Sequence, residues 1–132
     1  MKTIIVDDNF FFRSNLKDYI EDKLGHKVIA EASDGLDFLG LPNLSDAEII
    51  LMDIAMEAMD GFEATKLALW RYPHLKIIAV TMHSEKVFLV KIIQAGFKGC
   101  VFKPEIFDSL HIAIQTVIEG EYYIPDNISL EK

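Results

Sequence analysis

Short apolar runs alternate with amphipathic helical periods along nearly the whole chain. Five runs read as strands, at residues 3–6, 27–31, 49–52, 76–80 and 99–102. Three of these are apolar almost throughout, as strands covered by helices on both faces should be. The second, KVIAE, is more polar and is expected nearer an edge. Between the strands lie five helical segments. Asn9 is placed to cap a helix reaching about Lys23, with Phe12, Leu16, Tyr19, Ile20 and Leu24 on one stripe and Gly25 as its stop. Asp34 begins a short helix that ends before Pro42, and Asp60-Gly61 opens a third that closes near Tyr72-Pro73. Ser84 is the expected cap of the fourth, whose arc is Phe88, Leu89, Ile92, Ile93 and Ala95. After Pro104, Ile106, Leu110, Ala113, Ile114 and Val117 form the last stripe, stopped by Gly120. Strictly alternating strands and helices predict an α/β fold with a five-stranded parallel sheet. Residues 1–120 make one domain, and 121–132 read as a tail or the start of a linker.

The polar residues that end these strands carry the chemistry. Asp7 and Asp8 follow the first run, Asp53 the third, Thr81 the fourth and Lys103 the fifth. Right-handed crossovers lay helices on both faces of such a sheet, and ligands bind beyond the carboxyl ends of its strands. Residues far apart in sequence therefore meet at one edge. One aspartate would suffice to cap the first helix, so that role does not account for the pair.

Composition narrows the chemistry. A formal charge of −8 and no local cluster of Lys or Arg argue against nucleic-acid binding by this chain. One cysteine, Cys100, excludes an internal disulfide and an all-cysteine metal site; it reads as a buried small apolar residue. The opening apolar run is four residues long, too short for a secretion signal, and no run is long enough to span a bilayer. A cytoplasmic protein is the resulting expectation.

Three crowded carboxylates repel one another unless a cation relieves them. Oxygen ligands without nearby His or Cys favour Mg²⁺ or Mn²⁺ over Zn²⁺. Lys103 adds a mobile positive charge and Thr81 a hydroxyl donor. The set suits phosphoryl transfer to a carboxylate, with Asp53 as nucleophile and Asp7 and Asp8 as metal ligands.

The segments IIVDDN, ILMDIAMEAMDGFEA, IIAVTMH and GCVFKP, in this order and spacing, resemble the response-regulator receiver domain of two-component signalling. The resemblance implies a flavodoxin-like fold with strand order 2-1-3-4-5. It implies Asp53 as phosphoacceptor, direct Mg²⁺ ligation by Asp8 and Asp53, and help from Asp7 through water. The backbone carbonyl of Ala55 would complete the protein ligands, Thr81 and Lys103 would contact the phosphoryl group, and Lys103-Pro104 would be cis. The donor would be a histidine kinase or phosphotransfer protein, and the chain a switch rather than a metabolic enzyme. The last segment, AIQTVIEGEYYIPDNIS, resembles receivers fused to LuxR-type helix-turn-helix domains, which implies transcription regulation through a domain outside this chain.

Three departures from the family pattern involve four positions. Glu57 stands where Pro usually follows the loop Met, Cys100 stands where many receivers carry a mobile aromatic, and Ala55 and His83 occupy variable positions that influence acyl-phosphate lifetime. Val87, Val90 and Ile112 fall off the buried arcs and form a candidate homodimer face on the fourth and fifth helices; Phe10 and Phe11 are candidates to meet the phosphodonor. Two other readings compete. A Mg²⁺-dependent aspartyl phosphatase usually has a second Asp two residues after its nucleophile, where this chain has Ala55. A phosphorylation-independent binding module of the same fold would have lost at least one of the five polar residues, and all are present.

Overall fold

The computed structural model describes residues 1–83 and 85–125. Five strands form one parallel sheet: β1 (Lys2–Val6), β2 (Lys27–Ala32), β3 (Ile49–Asp53), β4 (Ile77–Thr81) and β5 (Gly99–Phe102). Their order is β2-β1-β3-β4-β5, with β2 at an edge as its polar sequence predicts. The connecting helices are α1 (Phe10–Asp22), α2 (Gly35–Leu39), α3 (Gly61–Arg71), α4 (Lys86–Ala95) and α5 (Ile106–Ile118). Each expected strand and helix is present, and two short 3₁₀ turns, Leu44–Asp46 and Lys103–Glu105, are added.

Alternation along the strands sorts the core into two layers. Ile4, Val6, Ile50, Met52, Ile77 and Ala79 pack with the α2, α3 and α4 side, where Phe38, Ala64, Leu89 and Ile92 are buried. Ile5, Leu51, Ile78 and Val80 face α1 and α5, against Leu16, Ile20, Leu110 and Ile114. Full burial of each large aliphatic side chain contributes roughly 1.5–3 kcal/mol, which anchors the strands whose polar ends form the site.

The caps follow the sequence closely. Asn9, Asp34 and Asp60 each accept a hydrogen bond from the backbone N–H three residues on. Ser84 lies outside the described residues, and the cap position of α4 belongs to Glu85, which makes no side-chain capping bond.

One expectation is overturned. The Lys103–Pro104 bond is trans, like every peptide bond among the described residues. Pro104 sits in the first turn of the 3₁₀ segment that leads into α5. There its fixed φ and missing N–H are tolerated, so the trans form, the favoured one for any X–Pro bond, already turns the chain into α5.

After α5 the chain returns beside β5. Tyr123 bridges Gly99 in parallel, its N–H donating to the Lys98 carbonyl and its own carbonyl accepting from Cys100 N–H. Gly99 sits tightly here: a β-carbon would lie 3.2 Å from Val117 and 3.3 Å from Tyr123, so these side chains would have to give way slightly. Of residues 121–125 it is Tyr123 that joins the edge of the sheet, while 126–132 of the expected tail lie outside the described residues.

Candidate functional site

β1 and β3 are neighbours whose connections leave in opposite directions, so a crevice opens beyond their carboxyl ends. Asp7 follows β1, and Asp53 is the last residue of β3. Asp7 and Asp53 are buried, and Asp8 is exposed at the rim. One carboxylate oxygen from each of the three lies within 4.8 Å of the others. Thr81 ends β4 and is buried; Lys103 follows β5 and is half-buried. Its ammonium stands 3.0 Å from Asp7 Oδ2 and 3.8 Å from Asp53 Oδ2. The structure thus brings Asp7, Asp8, Asp53 and Lys103 together and puts Thr81 on the strand beside Asp53.

The two buried carboxylates are held differently. Asp7 Oδ1 accepts from the Asn9 N–H at 2.8 Å, so the turn into α1 fixes its rotamer. Asp7 Oδ2 is buried and receives no directed hydrogen bond, with the Lys103 ammonium as its charge partner. Burial pushes the Asp53 carboxyl up to about 6, helped by the negative charge of Asp7 and, more weakly, of Asp8; Lys103 and the Ile54 N–H pull the other way. One lysine does not neutralise three carboxylates. The three converging carboxylates and the raised Asp53 fit an all-oxygen site for a hard divalent cation.

Thr81 Oγ1 accepts from the His83 N–H at 3.0 Å, which leaves the hydroxyl proton to be donated into the crevice. His83 stacks on Phe88 with ring centroids 4.2 Å apart. Ala55, whose carbonyl is a candidate ligand, is exposed in the loop after β3. Beside it a groove of about 470 Å³ is lined by Asp8, Met56, Glu57, Phe88 and Lys91. Glu57 therefore adds charge to the mouth of the site. Cys100 is buried and its thiol is pushed up to about 12 by desolvation, so it stays a neutral apolar side chain.

Four features of the site were not anticipated. Arg13 donates to the Asp7 carbonyl and pairs with Glu31 at 3.0 Å, tying the β1–α1 turn to β2. The Phe12 ring, expected only as part of the buried stripe, lies 4.4 Å from the Lys103 ammonium. Ala58 adopts a left-handed backbone with φ 66° in the loop between β3 and α3. Gly61, expected only as a helix start, touches the end of β3: a β-carbon there would lie 2.2 Å from the Asp53 carbonyl oxygen. Only Gly61 carries a sequence signal, as the glycine of the Asp60-Gly61 helix start that follows the β3 loop.

The profile of the response regulator receiver domain matches residues 3–115. The chain belongs to this family. Among relatives of the receiver domain is the response regulator UvrY of Escherichia coli, 32% identical over 129 residues, 98% of this chain and 59% of that protein. The response regulator GacA of Pseudomonas aeruginosa is 31% identical, over 98% of this chain and 60% of that one. This receiver domain spans about three fifths of these curated relatives. Among solved structures, a LuxR-family two-component response regulator from Aurantimonas sp. SI85-9A1 superposes with TM-score 0.89 at 28% identity, covering 96% of this chain and 91% of that one. The strand order and flanking helices are those of the receiver fold, as the sequence resemblance implied.

Proposed function

We propose that Asp53 is the phosphoacceptor of a two-component switch, with a histidine kinase or phosphotransfer protein as donor. The observation that carries this is the Asp53 carboxylate at the end of β3, within 4.8 Å of Asp7 and Asp8 and 3.8 Å from the Lys103 ammonium. An Asp53 oxygen forms the new P–O bond while the donor's P–N bond breaks; the electron pair leaves with the imidazole, which takes up a proton. Asp8, Asp53 and the Ala55 carbonyl, with Asp7 through water, would hold Mg²⁺ or Mn²⁺, which supplies positive charge to the phosphoryl oxygens. Lys103 follows the developing charge from the other side, and Thr81 donates its hydroxyl to a phosphoryl oxygen. The buried setting makes each of these interactions stronger than in water.

The added charge beside α1 and the loops after β3 and β4 shifts their packing, and this is the signal. Its output is transcription regulation by a domain outside this chain, in a cytoplasmic protein. Among the described residues, no helix is long and apolar enough to cross a membrane. Val87, Val90 and Ile112 are 69%, 37% and 57% exposed on α4 and α5, which supports a homodimer through that face. The regulator RcsB, at 25% identity, has been solved as two dimers bound to two parallel DNAs. If this face pairs two copies of the chain, Val90→Asp converts a dimer to a monomer in sedimentation analysis.

The deciding experiment is incubation with acetyl phosphate and Mg²⁺ followed by intact mass. One phosphoryl group that requires Mg²⁺ and is lost in Asp53→Ala is the expected result. Folded protein that takes up none under these conditions refutes the reading in favour of a phosphorylation-independent binding module.

A further inference from the structure

Lys103 is usually the least constrained kind of group for an active site, a point charge on a flexible four-carbon stem. Here its ammonium has three neighbours: Asp7 at 3.0 Å, Asp53 at 3.8 Å and the Phe12 ring centroid at 4.4 Å. The two carboxylates come from the turn after β1 and the end of β3, and the ring from the first turn of α1, so they approach the ammonium from separate segments. The carboxylates cannot be its permanent seat. Once a cation or a phosphoryl group engages Asp53 and its neighbours, Lys103 must exchange carboxylate oxygens for phosphoryl oxygens. The ring has no such competition, because its electron-rich face attracts a cation without offering a ligand to a metal.

We propose that Phe12 is a positioning residue for Lys103: its ring holds the ammonium at the crevice while the anionic partners change. Phe12 is half-buried and packs against the α1–α5 core layer, so its place is set by the fold independently of the site's occupancy. The ring is also part of α1, whose neighbouring Phe10 and Phe11 are 61% and 77% exposed. A partner that tilts the first turn of α1 would move the seat of Lys103 with it. This inference rests on the phosphoryl-accepting role proposed for Asp53 only in its kinetic consequence; the seating itself is a property of the unmodified protein.

The test uses Phe12→Leu, which keeps an apolar side chain and removes the π face, and Phe12→Tyr, which keeps it. In the unphosphorylated chain the ε-methylene signals of Lys103, assigned with Lys103→Arg, should be displaced upfield by the ring in the wild type and Phe12→Tyr and should lose that displacement in Phe12→Leu. With acetyl phosphate at saturating Mg²⁺, Phe12→Leu should accept the phosphoryl group about fivefold more slowly, the worth of one partly desolvated cation–π contact. Mg²⁺ affinity should change less than twofold, and Phe12→Tyr should restore the rate. Lys103 signals indifferent to Phe12→Leu, or equal rates in the Leu variant and wild type, overturn the proposal; so does equal impairment of the Leu and Tyr variants, which would make Phe12 a packing residue. A wild-type chain that accepts no phosphoryl group would refute the role of Asp53, while the Lys103 signals would still decide the seating.

Discussion

Gly61 rests against Asp53. The start of α3 lies so close to the end of β3 that a β-carbon at Gly61 would stand 2.2 Å from the Asp53 carbonyl oxygen and 3.0 Å from the Ile54 α-carbon, while the Gly61 N–H donates to the Ile54 carbonyl at 2.9 Å. The backbone cannot yield here without moving the candidate phosphoacceptor. Gly61→Ala should therefore lower stability by about 1–3 kcal/mol in urea denaturation and slow phosphorylation by acetyl phosphate in the fraction that stays folded.

The Asp53 carboxyl titrates at about 6 in the folded chain against an ordinary 3.8, chiefly because it is buried beside Asp7. A raised carboxyl favours the folded state while protonated, so its contribution is complete below the ordinary value and is lost as pH rises through about 6. Asp53→Asn should then stabilise the metal-free protein by on the order of 2–3 kcal/mol above pH 7, with the gain shrinking towards pH 4. Thermal unfolding of both proteins in chelator across this range checks the sign.

Removing Lys103 leaves two buried carboxylates without their ammonium. Lys103→Met should destabilise the metal-free chain by about 3 kcal/mol at pH 7, and millimolar Mg²⁺ should raise its melting temperature more than it raises that of the wild type. A Mg²⁺ response smaller in the variant would count against a cation site on these three aspartates.

Ala58 holds a left-handed backbone that glycine adopts freely and alanine does not. Ala58→Gly should raise stability by about 1 kcal/mol, less whatever the added glycine flexibility takes back in the unfolded chain. Denaturation midpoints at constant slope report the balance.

On α3, the Thr65 hydroxyl is fully buried with no hydrogen-bond partner among the described residues. Thr65→Val, which keeps the shape and deletes the orphan, should stabilise the chain by about 1 kcal/mol, read from the same denaturation curves. No change would mean that the hydroxyl finds a partner in solution.

The strand-end residues were legible because a strand terminus is written locally, as an apolar run that breaks at a polar residue. That pattern put Asp7, Asp53, Thr81 and Lys103 at one edge before any coordinates. The roles of Phe12 and Arg13 were hidden for the opposite reason: each acts on a partner fixed only by the folded backbone. Phe12 meets Lys103 across most of the sequence, and in the pattern it counts simply as one more apolar stripe position. Ala58 gave no signal since its backbone is one that sequence normally marks with glycine. Trp70 on α3, 85% exposed, shows that an aromatic in a helical period need not mark the buried face. The trans Lys103–Pro104 bond departs from the isomer that the family resemblance implied, since no short-range pattern in the sequence fixes an X–Pro bond.

A parallel sheet has two raw margins, each able to recruit strands from other molecules. Here one margin, β2, carries Lys27 and Glu31 and is poorly suited to stacking. The other is partly sealed by the chain's own Tyr123, which occupies the Cys100 N–H and the Lys98 carbonyl at the end of the sheet away from the aspartates. The chain beyond the last turn of α5 thus still touches the sheet, at Tyr123. A fragment cut at Gly120 would lack Tyr123 and so leave the Cys100 N–H and the Lys98 carbonyl open at the β5 margin.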